Sequence, residues 1–273
     1  MRIKIFLVGI TFTFIGAFFF REGIFQSLVS PSLQEEKSNI GDIQPVPSEQ
    51  SIEEQEKATV DVTLSDSLEK KILQEVSFTS QAPTGNWKDL IFQNACEEVS
   101  LLMADKWVTG KKFGTSKETE AEIKNLTKEE EKYFPKDSYD LSATDIFVLA
   151  QKYFPGMRIS LVKNVTTDDM KKSLSGENIV IVPANGRKLQ NPNFTAPGPQ
   201  YHTLLVRGYD PVTDEFIVND PGTRKGNGYR YASAVLFDAM QNYATGHHGK
   251  LFPDEKVMLI IHKDTSLRGR TSK

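Results

Sequence analysis

Gln93-Asn94-Ala95-Cys96-Glu97-Glu98-Val99-Ser100 carries the only cysteine of a 273-residue chain, at the point where a helical pattern begins. Cys96, Val99, Met103 and Trp107 fall at i, i+3, i+7 and i+11 with Leu102 beside them. That is one stripe of a 3.6-residue period, and it predicts a helix with this face on a core. Asn94 is the expected N-cap, and Glu97 three residues on completes a capping-box-like pair. Cys96 then takes the second helical position, where free backbone N–H groups and the helix dipole favour a thiolate. A lone thiol makes no internal disulfide. The other fate of an unpaired cysteine is a small buried hydrophobe, and the cysteine alone does not choose between the two.

Partners for a reactive thiolate lie far downstream. His202 opens the strand-like run His202-Thr203-Leu204-Leu205-Val206, and Asp220 closes Phe216-Ile217-Val218-Asn219-Asp220. The Asp210-Pro211 turn signal sits between them. Folded as a hairpin, the start of the first strand meets the end of the second, so residues 202 and 220 fall within one or two positions of each other on the same side. A carboxylate there fixes the imidazole tautomer and leaves the other ring nitrogen to take a thiol proton. Asn219 points to the opposite face if Asp220 points in. An edge histidine and a turn-starting Asp-Pro-Gly explain the same residues without chemistry.

Several runs together resemble a known group. Phe78-Thr79-Ser80-Gln81-Ala82-Pro83, Gly85-Asn86-Trp87, Cys96-Glu97-Glu98-Val99-Ser100, Pro197-Gly198-Pro199-Gln200-Tyr201-His202, Gly208-Tyr209-Asp210 and Asn219-Asp220-Pro221-Gly222 are similar to the bacteriocin-processing cysteine peptidases of family thirty-nine, in their stand-alone C39-like branch. The resemblance spans residues 75–263. It implies a papain-like fold, a Cys96 nucleophile, a His202 base and an Asp220 orienting acid, in papain-like chain order.

One departure concerns the oxyanion hole. Exporter-linked members carry a glutamine six residues before a Cys-Gly pair; here Leu90 holds that position and Glu97 follows the cysteine. Gln81, in a segment (76–81) expected to be strand-like, is the favoured substitute, with Gln93 as the alternative. The Cys96 backbone N–H supplies the second donor.

Residues 3–20 are mostly large apolar or small side chains with no charge beyond Lys4, and are close to the minimum length for crossing a bilayer. Arg2 and Lys4 stand at the start of the run, so the rest of the chain is expected outside. Arg21-Glu22-Gly23-Ile24-Phe25 follows Phe20 without a clear small-x-small cleavage site, which favours a signal anchor over a cleaved signal peptide. Residues 30–61 are rich in Glu, Gln, Ser and Pro and read as a disordered acidic linker. The expected organisation is a membrane anchor or signal segment over 1–29, that linker over 30–61, and a peptidase domain over 62–273.

A formal net charge of -3 argues against nucleic acid as a partner. The elements expected after the cysteine helix are helices over 116–133, 142–154 and 166–174, strands over 158–162 and 178–182, the hairpin, a helix over 232–243 and a strand over 256–262. Helices precede a mostly antiparallel sheet, an α+β layout. His247-His248 has no ligand-spaced companions, so no metal or other cofactor is called for. Gly222, Gly226 and Gly228 read as a mobile loop beside the site, with Trp87 and residues 191–199 walling the cleft. The expectation is a monomeric, single-pass, extracytoplasmic cysteine peptidase acting on a peptide or protein substrate. A non-catalytic peptide-binding or cell-surface module, or an acyltransferase or deamidase on the same fold, is the alternative, and secretion after signal cleavage the alternative location.

Overall fold

A computed structural model describes residues 70–136 and 138–263, all within one unit of the chain, Ser48–Lys273. The apolar segment at 3–20 and the acidic linker lie outside the described residues. Among the described residues, no helix is long and apolar enough to cross a membrane.

The architecture is α+β, in keeping with a papain-like domain. After a two-residue strand β1 (Ile72–Leu73) come four helices: α1 (Leu90–Asn94), α2 (Cys96–Thr109), α3 (Ser116–Glu130) and α4 (Ala143–Tyr153). The sheet then builds from β2 (Ile159–Lys163), β3 (Ile179–Ala184), β4 (His202–Asp210), β5 (Glu215–Asn219) and β6 (Asn227–Ala232), with α5 (Thr167–Ser175) crossing between β2 and β3. Helix α6 (Ser233–Ala239) follows β6, then β7 (Asn242–Tyr243), β8 (Leu251–Phe252) and β9 (Val257–Ile261). The strands of the main sheet run β2-β9-β3-β4-β5-β6, all antiparallel, with β1 added to β4; β7 and β8 pair separately.

Both faces of this sheet are covered, and the sequence explains why. Ile179 and Ile181 alternate with Val180 and Val182 in an apolar run too continuous for a strand with one wet face. The first pair packs with Leu205, Leu259 and the helices α2 to α4; the second packs with Leu204, Val206, Phe216, Met170 and Leu236 against α5 and α6. Each fully buried aliphatic side chain contributes about 1.5–3 kcal/mol. Helix α2 lies at the centre of the first layer and is buried over most of its circumference, Glu97, Ser100 and Leu101 included, so the expected single stripe understates its burial. The helix closes on Gly110 at φ 68°, a left-handed C-terminal conformation that glycine adopts without strain.

Three further expectations need correction. The segment over residues 76–81 is irregular, because past β1 it crosses over the end of the sheet and is held by isolated bonds such as Gln81 N–H to Pro221 O at 2.9 Å. The expected 232–243 helix stops at Ala239, since Asn242 and Tyr243 pair with β8. The glycine-rich run read as a mobile loop contains β6, whose Tyr229, Arg230 and Tyr231 pair with Val218, Ile217 and Phe216.

Candidate active site

The β4–β5 register sets the first pair. Leu205 stands opposite Asn219 and Val206 opposite Val218, which puts residue 220 opposite 204, two positions from His202 and on the same face of the pleat. His202 Nε2 lies 2.9 Å from Asp220 Oδ1, with both side chains buried. Asn219 turns the other way, its amide donating to Val76 O. The Gly222 N–H donates to Asp220 Oδ1 at 3.0 Å, and the Tyr231 hydroxyl donates to Oδ2 at 2.7 Å. Asn191 in turn donates to Tyr231. Burial works against the Asp220 carboxylate, but the charge and hydrogen bond of His202 and the donors Tyr231 and Gly222 more than offset it, holding its pKa below the usual value. With Nε2 spent on Asp220, Nδ1 of His202 is the nitrogen left for chemistry. Phe194 packs edge-on against the imidazole, ring centroids 5.3 Å apart.

Gly222 and Gly226 shape the loop that returns from Asp220. A Cβ on Gly222 would lie 2.9 Å from His202 Cε1 and 3.0 Å from Phe194 Cε1. A Cβ on Gly226 would lie 1.8 Å from Asp220 O, a position no side chain can take.

Cys96 shares a cleft of about 580 Å³ with His202; Gln81, Trp87, Gln93, Phe194 and Arg224 are also in its walls. The local setting of the thiol differs from expectation. Asn94 ends α1, its amide donating to Leu90 O, so it cannot cap the next helix; Ala95 is the N-cap, without a side-chain bond, and Cys96 is the first helical residue. Glu97, freed from any capping box, takes the thiol instead: Cys96 Sγ donates to Glu97 Oε2 at 3.0 Å. Oε1 accepts from the Tyr243 hydroxyl at 2.7 Å and from Thr203 at 3.5 Å. Burial foremost, then the Glu97 carboxylate, pushes the Cys96 thiol well above its usual pKa. The expected thiolate-favouring field is outweighed, because a helix N-terminus is worth only about 0.3–1 kcal/mol against a full carboxylate charge in contact.

Gln81 and Gln93 both reach the cleft. Gln81 Nε2 donates to Gln93 O at 2.8 Å, which fixes its amide while leaving one N–H to spare. The Gln93 amide is engaged by Trp87 O at 2.8 Å. Residues 192–195 and Trp87 form the cleft walls as the sequence suggested. His247 and His248 stack on each other, with His248 against Tyr201 and His247 against Tyr139, and among the described residues no three His, Cys, Asp or Glu side chains are grouped as a metal site would need.

Sequence reasoning missed the hydrogen bonds of Tyr231, Asn191 and Tyr243, and gave Glu97 only a capping role. The Tyr229-Arg230-Tyr231 alternation is a strand signal that the surrounding glycines obscured. Nothing local marks Tyr243 or Asn191, which act over separations of 146 residues to Glu97 and 40 to Tyr231.

The Peptidase_C39 like family model matches residues 73–248. No curated protein matches the chain. Among solved structures, a protein from Bacillus anthracis assigned as a C39-like peptidase is similar at 16% sequence identity and a TM-score of 0.41, covering 71% of this chain and 98% of its own.

Proposed function

The chain belongs to the Peptidase_C39 like family, and on that premise we propose that it is a cysteine peptidase cleaving peptide bonds through Cys96, His202 and Asp220. The observation that carries the reading is the 2.9 Å contact between His202 Nε2 and Asp220 at the wall of the cleft that Cys96 also lines. In this mechanism Nδ1 of His202 takes the Sγ proton, and the sulfur attacks the carbonyl carbon to form a tetrahedral oxyanion. The imidazolium then protonates the leaving amine, and water, activated by the same imidazole, releases the acyl group from the thioester. Asp220 keeps Nε2–H oriented. Gln81, with its amide anchored on Gln93 O and one N–H free, and the Cys96 backbone N–H at the first helical position are the oxyanion donors this reading assigns.

The same reading makes the domain a membrane-tethered, extracytoplasmic one. Support comes from the apolar run at 3–20, with Arg2 and Lys4 at its start. Resistance of the full-length chain to alkaline carbonate extraction from membranes tests it, and recovery in the culture medium as a shortened chain would instead establish signal cleavage.

A second reading, a peptide-binding module without catalysis, is favoured by one observation: the Cys96 thiol faces the buried Glu97 carboxylate. Incubating the full-length chain with a mixed peptide library and mapping new termini separates the two. Cleavage that disappears in Cys96→Ala supports the peptidase; retention of peptides without new termini supports the module.

A further inference from the structure

The residue after the nucleophile is buried to 0% exposure, and its carboxylate is in contact with the sulfur that must react. We propose that Glu97 is a proton switch on Cys96: ionised, it holds the sulfur as a thiol; protonated, it donates to Sγ and allows the thiolate–imidazolium pair with His202 to form. This rests on the reading of Cys96 as the nucleophile.

The geometry leaves the carboxylate few alternatives. Oε2 has the sulfur at 3.0 Å, and Oε1 has the Tyr243 hydroxyl at 2.7 Å and the Thr203 hydroxyl at 3.5 Å, so both oxygens are occupied by groups that also accept. Thr203 and Tyr243 further bond one another at 2.9 Å, which fixes the cage. A thiol, unlike the two hydroxyls, loses its proton near neutral pH when its surroundings permit, so the Sγ–Oε2 contact is where a proton change has a chemical consequence. With Glu97 ionised, removing the thiol proton places two anions 3.0 Å apart in a buried setting, which is strongly unfavourable. With Glu97 protonated, its O–H turns toward the sulfur and stabilises the thiolate. The protons balance: thiol, carboxylate and neutral imidazole take one proton from solvent to give thiolate, carboxylic acid and imidazolium.

The groups around Glu97 set where the switch operates. On its own helix these are Cys96 and Glu98; from β4, Thr203 and His202, whose backbone carbonyl accepts from Tyr243; from β7, Tyr243; and from the segment before α4, Asp140, which faces His247 and His248. Asp220 lies behind His202. Burial first and the Asp140 charge second raise the Glu97 pKa to about 7, against the opposing hydrogen bonds from Cys96 and Tyr243. The switch is therefore set near neutral pH.

Because Cys96 is the sole thiol, its carbamidomethylation by iodoacetamide reads the sulfur directly. The rate is measured on the full-length chain from pH 5 to 10 for wild type, Glu97→Gln, Tyr243→Phe and His202→Ala. In wild type the rate should fall as pH rises through about 7 and recover only as the thiol ionises in alkali. Glu97→Gln should abolish that fall and react about tenfold or more faster at pH 8, one pKa unit being a factor of ten. Tyr243→Phe removes a donor to the carboxylate and should move the fall to higher pH, which decides the matter should Glu97→Gln not fold. Glu97→Gln and Tyr243→Phe profiles superimposable on wild type, with His202→Ala slower than wild type, would overturn the switch and leave the nucleophile standing. A wild-type rate no faster than a free thiol at every pH, unchanged by His202→Ala, would overturn both.

Discussion

The Tyr231 hydroxyl donates to Asp220 Oδ2 across 2.7 Å from β6, three residues past Gly228, while Oδ1 of the same carboxylate meets His202. Two anchors on one carboxylate fix the plane in which the imidazole lies. Hydrogen bonds to charged groups are worth about 1.5–3 kcal/mol. Tyr231→Phe should therefore lower kcat by roughly 10- to 100-fold with little change in KM. It should also raise the pH of the acid limb, since one of the groups holding the Asp220 pKa down is gone. A kcat–pH profile checks both; a drop in KM affinity with an unmoved limb would mean that Tyr231 merely packs.

Gly222 is a close approach of backbone to imidazole. With a Cβ 2.9 Å from His202 Cε1 and 3.0 Å from Phe194, Gly222→Ala must displace one ring or the other. Misplacements of about 1 Å cost on the order of 10²-fold in rate. The expected result is a loss of that size in kcat together with a melting temperature lowered by about 2–4 °C per kcal/mol of overpacking, measured by steady-state kinetics beside thermal unfolding.

Gln81→Ala tests the oxyanion assignment. Losing one such donor costs about 10²–10³-fold in kcat, and KM should stay within a few-fold. Gln93→Ala should cost far less, because the Gln93 group that holds Gln81 is its backbone carbonyl. Equal losses in the two variants would argue that the side chain of Gln93 is the donor.

Stability carries its own pH signature. Glu98 and Glu130 face one another in the interior and share a hydrogen bond, which requires one of the two carboxyl groups to carry a proton. Burial first, then the Glu130 charge, raises the Glu98 pKa well above the usual 4.5. Raised carboxyl pKa values mean that the folded state binds more protons than the unfolded one. Their contribution is thus complete below about 4.5 and is lost as pH rises through the folded values, which for Glu97 is about 7. The melting temperature should accordingly decline between pH 5 and 8. Glu98→Gln should gain about 2–4 °C at pH 8, as expected for roughly 1 kcal/mol in a domain of this size, and nothing at pH 5. A flat melting profile would refute this.

Much of the fold was legible because local pattern and burial agreed. The strand over 178–182 and the Asp210-Pro211 turn were readable from local pattern, and the hairpin arithmetic placed His202 beside Asp220. Cap chemistry failed at Asn94, where a good N-cap residue is consumed by the end of a helix too short to announce itself, five residues over Leu90–Asn94. With that cap gone, Glu97 turned from a backbone donor to the thiol, and this reversed the expected electrostatics of the cysteine. Tyr231 and Tyr243 were illegible for a different reason: each acts through a partner brought near only by the finished sheet, and neither has a local signature beyond an aromatic in a strand.

The most direct test of the central claim is the rate at which an epoxysuccinyl peptide, an electrophile that ordinary thiols ignore, modifies Cys96 at pH 6 in the full-length chain, read by intact mass for wild type beside His202→Ala. The account predicts stoichiometric addition to the wild type and a rate lower by about 10²-fold or more in the variant, the usual range for general acid–base partners. Equal rates, or no addition to either, would contradict it.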